Sequence, residues 1–292
     1  MNAENLAFLQ DSLKYLGFGE NTLLNQQLEE QVLKDLGEFE LYTEAYFDDN
    51  TKLEAKLYYR KSDAKDRYFL TKFDALLRYS DDPDKNRAQT FYIYKGTGIT
   101  FKEAFNLLEG RSVNKDMINL EGEKYNAWVQ LNFEEKDSQN NFKLRQYRAQ
   151  YHYELEKVLE KYPIRELQSE ETKAVLIRSL RRGNIQIVTF LKLNKAEKMF
   201  IEANPMYKTI NIYSLATRAA RKQGTEKPSV VKDPVRPIID PAREETLEED
   251  GDSPEEPNPA GYASEKGRLK PERVHLGLPK ATARKVVPKQ AI

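Results

Sequence analysis

The chain has 292 residues, with 47 Lys and Arg against 47 Asp and Glu, so no net charge draws it as a whole toward nucleic acid or an anionic membrane. It contains no cysteine, which excludes disulfides, thiol catalysis and cysteine-ligated zinc or iron–sulfur centres. No run approaches the roughly 18 apolar residues of a membrane span, and the opening Met1-Asn2-Ala3-Glu4-Asn5-Leu6 has neither the basic nor the apolar region of a signal peptide; a cytoplasmic protein without membrane contact is expected.

Composition and patterning predict an α+β protein in three segments. Residues 1–37 read as a helical segment. Leu6, Leu9, Leu13 and Leu16 recur at helical spacing before Gly17 and Gly19, and a second helix after Asn21 carries Leu24, Leu28, Val32 and Leu36 near one stripe, closed by Gly37. Residues 38–213 read as a body of antiparallel hairpins packed with amphipathic helices. Phe39, Leu41, Thr43, Ala45 and Phe47 alternate with polar residues up to the turn Asp48-Asp49-Asn50. Leu53, Ala55, Leu57 and Tyr59 resume the alternation, and strands follow near 67–79 and 88–95. Thr100 and Glu103 form the capping box of a helix bearing Phe101, Ala104, Phe105 and Leu108, ended by Gly110. A hairpin follows near 125–134 and 141–150, then a helix through Leu155, Val158, Leu159 and Tyr162 that stops at Pro163. Ser169 caps the next helix, and three short closing strands occupy 184–213.

Residues 214–292 are expected to form a disordered, proline-rich, charged tail. Ten of the thirteen prolines lie there and Tyr262 is its sole aromatic residue, so it lacks the apolar surface needed to offset the entropy of ordering. Its charge comes in blocks: nine acidic residues against one Arg over 240–256, then eight basic residues against one Glu over 266–289. The basic end could touch nucleic acid non-specifically, but a solvated tail is the favoured reading of its dispersed charges.

An offset of 74 residues aligns Ala55, Leu57, Tyr59, Asp63, Tyr68, Leu70, Phe73 and Ala75 with Val129, Leu131, Phe133, Asp137, Phe142, Leu144, Tyr147 and Ala149. Either the body duplicates a unit, about 38–110 and 120–163, or two hairpins packing one face share the same alternation. Trp128 falls out of phase with Val129 and Leu131, and its size argues for burial. A helix or the closing strands are therefore expected over the second face of its hairpin.

No catalytic or metal-binding constellation emerges and no cofactor is implied. Lys95-Gly96-Thr97-Gly98 lacks the remaining residues of a phosphate loop or dinucleotide fingerprint. Asp82-Pro83-Asp84-Lys85-Asn86 begins like a calcium loop but has Arg87 where glycine is needed. His152 has no distinguished partner and reads as a structural strand-end histidine, and Arg178, Arg181 and Arg182 as compensation of a helix dipole. The sharper candidate is a nucleic-acid face. Alternation places Lys143, Arg145 and Tyr147 on one side of their strand, and Lys56, Tyr58 and Arg60 on the polar side of theirs. Cations for phosphates and rings for bases are what a single-strand-binding sheet uses, although a solvated outer face of an antiparallel sheet has the same pattern.

Five stretches together resemble a known family: Ile99–Lys115, Gly122–Leu131, Tyr153–Lys157, Leu180–Asn184 and Lys198–Pro205. They are similar to a family of proteins carried on conjugative transposons and related mobile elements of Bacteroidetes, often near topoisomerase and mobilisation genes. The resemblance covers most of the body. It implies a mobile-element setting and brings no activity or site residue with it. Three functions are therefore expected in order: a non-enzymatic accessory that binds DNA, single-stranded in particular, or a DNA-processing protein; a protein–protein adaptor without nucleic-acid contact; and an enzyme of unrecognised type, which a deep pocket with convergent carboxylates or His152 would reveal.

Overall fold

A computed structural model describes residues 3–19, 21–62, 67–94, 98–119, 122–192 and 195–216. All lie in one compact unit, Met1–Pro259; the second unit, Ala260–Ile292, and the expected tail from residue 217 onward lie outside the described residues. The fold is α+β, with five helices and three antiparallel sheets among the described residues.

The N-terminal segment forms α1 (Ala3–Tyr15) and α2 (Thr22–Leu33). Asn21 caps α2, its Oδ1 accepting from the Leu24 N–H at 3.1 Å. The helix stops short of Leu36, which is 49% exposed, because the chain already turns left-handed at Asp35 (φ 51°), a conformation Asp tolerates.

The first sheet is a meander of β1 (Glu38–Asp48), β2 (Thr51–Ser62), β3 (Arg67–Tyr79) and β4 (Arg87–Tyr92), in that order. Its register places Leu41, Leu57, Phe73 and Phe91 in one inward row across all four strands. Leu9, Leu13 and Leu28 from α1 and α2 share a core with this row. Asn5 serves the edge of β3 as a missing strand would: its amide accepts from Tyr68 N–H at 2.8 Å and donates to Tyr68 C=O at 3.1 Å.

Helix α3 (Phe101–Leu108) carries the expected capping box, with Thr100 N–H donating to Glu103 Oε2 at 2.8 Å. It joins the first core to a second sheet of β5 (Val113–Ile118), β6 (Lys124–Lys136) and β7 (Phe142–Arg148). Ala127, Val129 and Leu131 face that first core. Trp128 points the other way into a second core built by α4 (Leu155–Leu159), α5 (Glu170–Arg181) and the third sheet, whose order is β10 (Thr209–Ser214), β9 (Lys195–Asn204), β8 (Gln186–Lys192). The middle sheet is thus buried on both faces, as the size of Trp128 anticipates; its ring meets Tyr153 edge-on at 5.3 Å.

Two local expectations change. Ser169 occupies the N-cap of α5, but its hydroxyl makes no capping bond; the first turn is held instead by Thr172 Oγ1, which donates to Glu166 C=O at 2.7 Å. The 74-residue offset matches the two hairpins strand for strand but not in register. Phe73 lies opposite Leu57, whereas Tyr147 lies opposite Trp128 rather than Leu131. In a strand such a shift sends a side chain to the other face.

Candidate functional site

The β2 half of the expected nucleic-acid face lies on the outer side of the first sheet, turned away from its core. The rows there are Glu40–Tyr58–Lys72–Tyr92 and Tyr42–Lys56–Asp74–Thr90. Lys56 Nζ pairs with Glu40 at 2.6 Å and lies 4.9 Å from the centre of the Tyr58 ring. Lys72 Nζ sits 4.4 Å from the same centre. The Tyr58 hydroxyl donates to Asp74 at 2.6 Å. Its ring is therefore attended by two ammonium groups and its hydroxyl is committed, which leaves it little capacity to stack a base. The bond to Asp74 pushes the Tyr58 hydroxyl pKa up, and the bond from Lys56 holds Glu40 below the ordinary carboxylate range.

The same accounting extends along the face. Glu44 and Glu54 lie directly opposite each other, a repulsive placement relieved by Lys52, which bridges them at 3.0 and 2.9 Å. Arg78 adds a second bond to Glu54 at 2.9 Å. Arg60 lies opposite Glu38. The outward cations Lys52, Lys56, Arg60, Lys72 and Arg78 are thus matched by Glu38, Glu40, Glu44, Glu54 and Asp74. Between them stand exposed rings, Tyr42 at 63%, Tyr46 at 69% and Tyr92 at 48%.

The β7 half lies on a different sheet and a different face. Tyr147 is only 3% exposed, packed in the second core with Trp128 and 4.9 Å from the Tyr151 ring; burial raises its pKa. It cannot stack on a base in this fold. Lys143 pairs with Glu135 at 2.8 Å and so lowers the pKa of that carboxylate. Arg145 donates to Asn132 Oδ1 at 2.9 Å and reaches Met206 in the β9–β10 turn. The expectation that Lys143, Arg145 and Tyr147 join Lys56, Tyr58 and Arg60 in one open face is corrected: the third sheet covers the face on which Tyr147 lies.

The lesser candidates resolve as local structure. His152 is exposed in a left-handed turn (φ 55°) after a short 3₁₀ segment, not at a strand end. Arg181 pairs with Glu156 at 2.6 Å, and the Arg182 carbonyl accepts from Asn106 at 2.7 Å, tying α5 to α3. Lys85 Nζ pairs with Asp82 at 2.7 Å within the turn that resembled a calcium loop. Lys95, Gly96 and Thr97 lie outside the described residues.

One feature escapes the sequence altogether. A cleft of about 760 Å³ opens between the β1–β2 turn, α3 and the third sheet. Phe47 stacks on Phe105 at its side, 3.7 Å between ring centres. Carboxylates line it from Asp48, Asp49, Asp81, Glu109 and Glu202, and the last two are occupied. Glu109 accepts from the Tyr79 hydroxyl and from Arg111, while Glu202 accepts from Tyr213 at 2.6 Å and Asn211 at 2.8 Å. His152 does not line it. Only the tertiary approach of the β1–β2 and β3–β4 turns, α3 and the third sheet creates the cleft. Comparison with protein-family models, with curated proteins and with solved structures finds no match for this chain.

Proposed function

We propose that this chain is a non-enzymatic accessory protein of a mobile genetic element that docks a DNA-processing protein through the outer face of the β1–β4 sheet. The observation that carries this reading is the charge accounting of that face. Its cations are matched by carboxylates, so it offers exposed tyrosine area and hydrogen bonds but no surplus positive potential for a polyanion. Tyrosine supplies large contact area with few rotatable bonds, and it is enriched where proteins meet. The same accounting argues against single-stranded nucleic acid, whose binding gains chiefly from cations freed to neutralise phosphates.

The test is photo-cross-linking in cells that carry the element, with a photoreactive residue at Tyr42 or Tyr46 and a control at Tyr207, which is equally exposed in the β9–β10 turn. A nuclease-resistant adduct with an identified DNA-processing protein is expected from the sheet positions and not from the control. In parallel, labelled single strands at low and moderate salt are expected to give no salt-dependent shift. A shift that disappears in Lys56→Glu, Arg60→Glu would refute the reading and restore nucleic acid as the ligand.

A further inference from the structure

We infer that β1 is the receiving strand for this partner: a basic, extended segment adds to its free edge and continues the sheet. The inference rests on the protein-docking reading above and names the partner's chemistry. β1 ends the order β1-β2-β3-β4. Among the described residues, no backbone hydrogen bond reaches Glu38–Phe47 from any element other than β2. Proteins blunt such an edge with charged side chains, lysine above all, with proline, a bulge or a cover, and of these β1 carries only its glutamates along most of its length. β1 contains no Lys, Arg or Pro, and its register breaks only at the far end, between Tyr46 and Asp48.

Its burial is that of a strand missing one neighbour. On the inner side, Thr43, Ala45 and Phe47 are only half-buried, while their neighbours Leu53 and Ala55 on β2 are buried. On the outer side Tyr42 and Tyr46 stand exposed. An added strand would cover both sets at once, through alternate side chains.

Charge selects the occupant. The outward ions of β1 are Glu38, Glu40 and Glu44, and β2 supplies their cations from one flank only: Arg60 opposite Glu38, and Lys56 and Lys52 reaching Glu40 and Glu44 from diagonal positions. A second copy of β1 would set carboxylate against carboxylate. A strand whose outward residues are Lys or Arg would place each carboxylate between two cations, the arrangement favoured for cross-strand pairs. The inner positions call for small or β-branched apolar residues beside Thr43 and Ala45.

The probe is a labelled nonapeptide of alternating Lys and Val, titrated against the full chain by fluorescence anisotropy. Its controls are a Glu/Val counterpart and two Lys/Val peptides methylated on alternate backbone nitrogens in opposite phase. The Lys/Val peptide is expected to bind about tenfold more tightly than the Glu/Val peptide and than one of the two methylated forms, and to slow amide hydrogen exchange over residues 38–47. Glu40→Lys, Glu44→Lys is expected to reverse the preference, with thermal unfolding confirming that the variant is folded. No binding by the Lys/Val peptide, equal binding by both methylated forms, unchanged exchange over β1, or an unreversed preference would overturn strand addition. Cross-links from Tyr42 or Tyr46 alongside such a failure would leave protein docking standing. Peptide binding at β1 without those cross-links would instead remove the outer face.

Discussion

The β1–β4 sheet and the β5–β7 sheet carry similar sequences on their polar sides and meet opposite fates. Lys56, Tyr58 and Arg60 face outward beside exposed tyrosines, while Tyr147, with the same alternation and the same company of cations, is sealed against Trp128. What separates them is a neighbour. Among the described residues the first sheet has helices on one face only, whereas the second is covered on one face by the first core and on the other by α4, α5 and β8–β10. Alternation assigns side chains to a face, and packing decides whether the face is a surface.

The largest test of that contrast is a pair of truncations. Trp128→Ala should cost ~3–5 kcal/mol by denaturant unfolding, while Tyr42→Ala should stay within ~0.5 kcal/mol. Trp128 is the only tryptophan, so its emission should lie at the short wavelengths of a buried indole in the folded chain. An exposed-indole maximum would break the comparison.

Next comes the joint that fixes the middle sheet against α5. Gly183 has φ +78°, and a Cβ there would approach the Ser112 carbonyl oxygen to 2.9 Å and Val113 to 3.0 Å. Gly183→Ala should therefore destabilise by ~1–3 kcal/mol, read as a lower thermal midpoint with the Trp128 signal moving first. A smaller effect is expected on the open sheet. Tyr58→Phe removes the hydroxyl bonded to Asp74 and should cost about 1 kcal/mol, measured by the same unfolding curves.

The gentlest probe is pH, to which both regions respond at both ends of the scale. Glu40 and Glu54 titrate below their ordinary value. For Glu40 the cause is the bond from Lys56; for Glu54 burial opposes the shift and bonds from Lys52 and Arg78 overcome it. A lowered folded pKa means stability present above the ordinary carboxylate pKa and lost as pH falls through the folded value. Glu135 on the middle sheet, held low by its bond from Lys143, follows the same rule, so acid below about pH 4.5 should weaken both sheets. Burial raises the pKa of Tyr147 and Tyr153, so their contribution is complete below about pH 10 and lost as pH rises through the folded values. Burial raises Tyr59 and Tyr79 of the first sheet as well, so alkaline unfolding should move the Trp128 emission in step with the loss of strand signal by circular dichroism; an emission unmoved while that signal is lost would break the shared dependence.

Much of the chain was legible because local rules sufficed. The Thr100–Glu103 capping box, the helix after Asn21 and the period-two run from Phe39 to Tyr59 appear where spacing places them. Strand β5 was not foreseen, since Asn114, Lys115 and Asp116 hide its pattern; it forms by pairing with β6, and Lys115 is held by Glu103 of α3 at 2.7 Å. The candidate face was half legible: Lys56, Tyr58 and Arg60 lie on an open surface as the alternation implies, yet no local signal told that Tyr147 would be covered.

By itself the sequence determined the α+β class, the places of the helices, the strands with clean alternation and the need to bury Trp128, all set within a few residues by hydrogen bonding and side-chain direction. Tertiary structure alone decided which polar faces stay open, how the hairpins pair in register, and where Asp81, Glu109 and Glu202 meet in one cleft. Those outcomes depend on contacts between segments tens of residues apart, whose free energy no local pattern encodes.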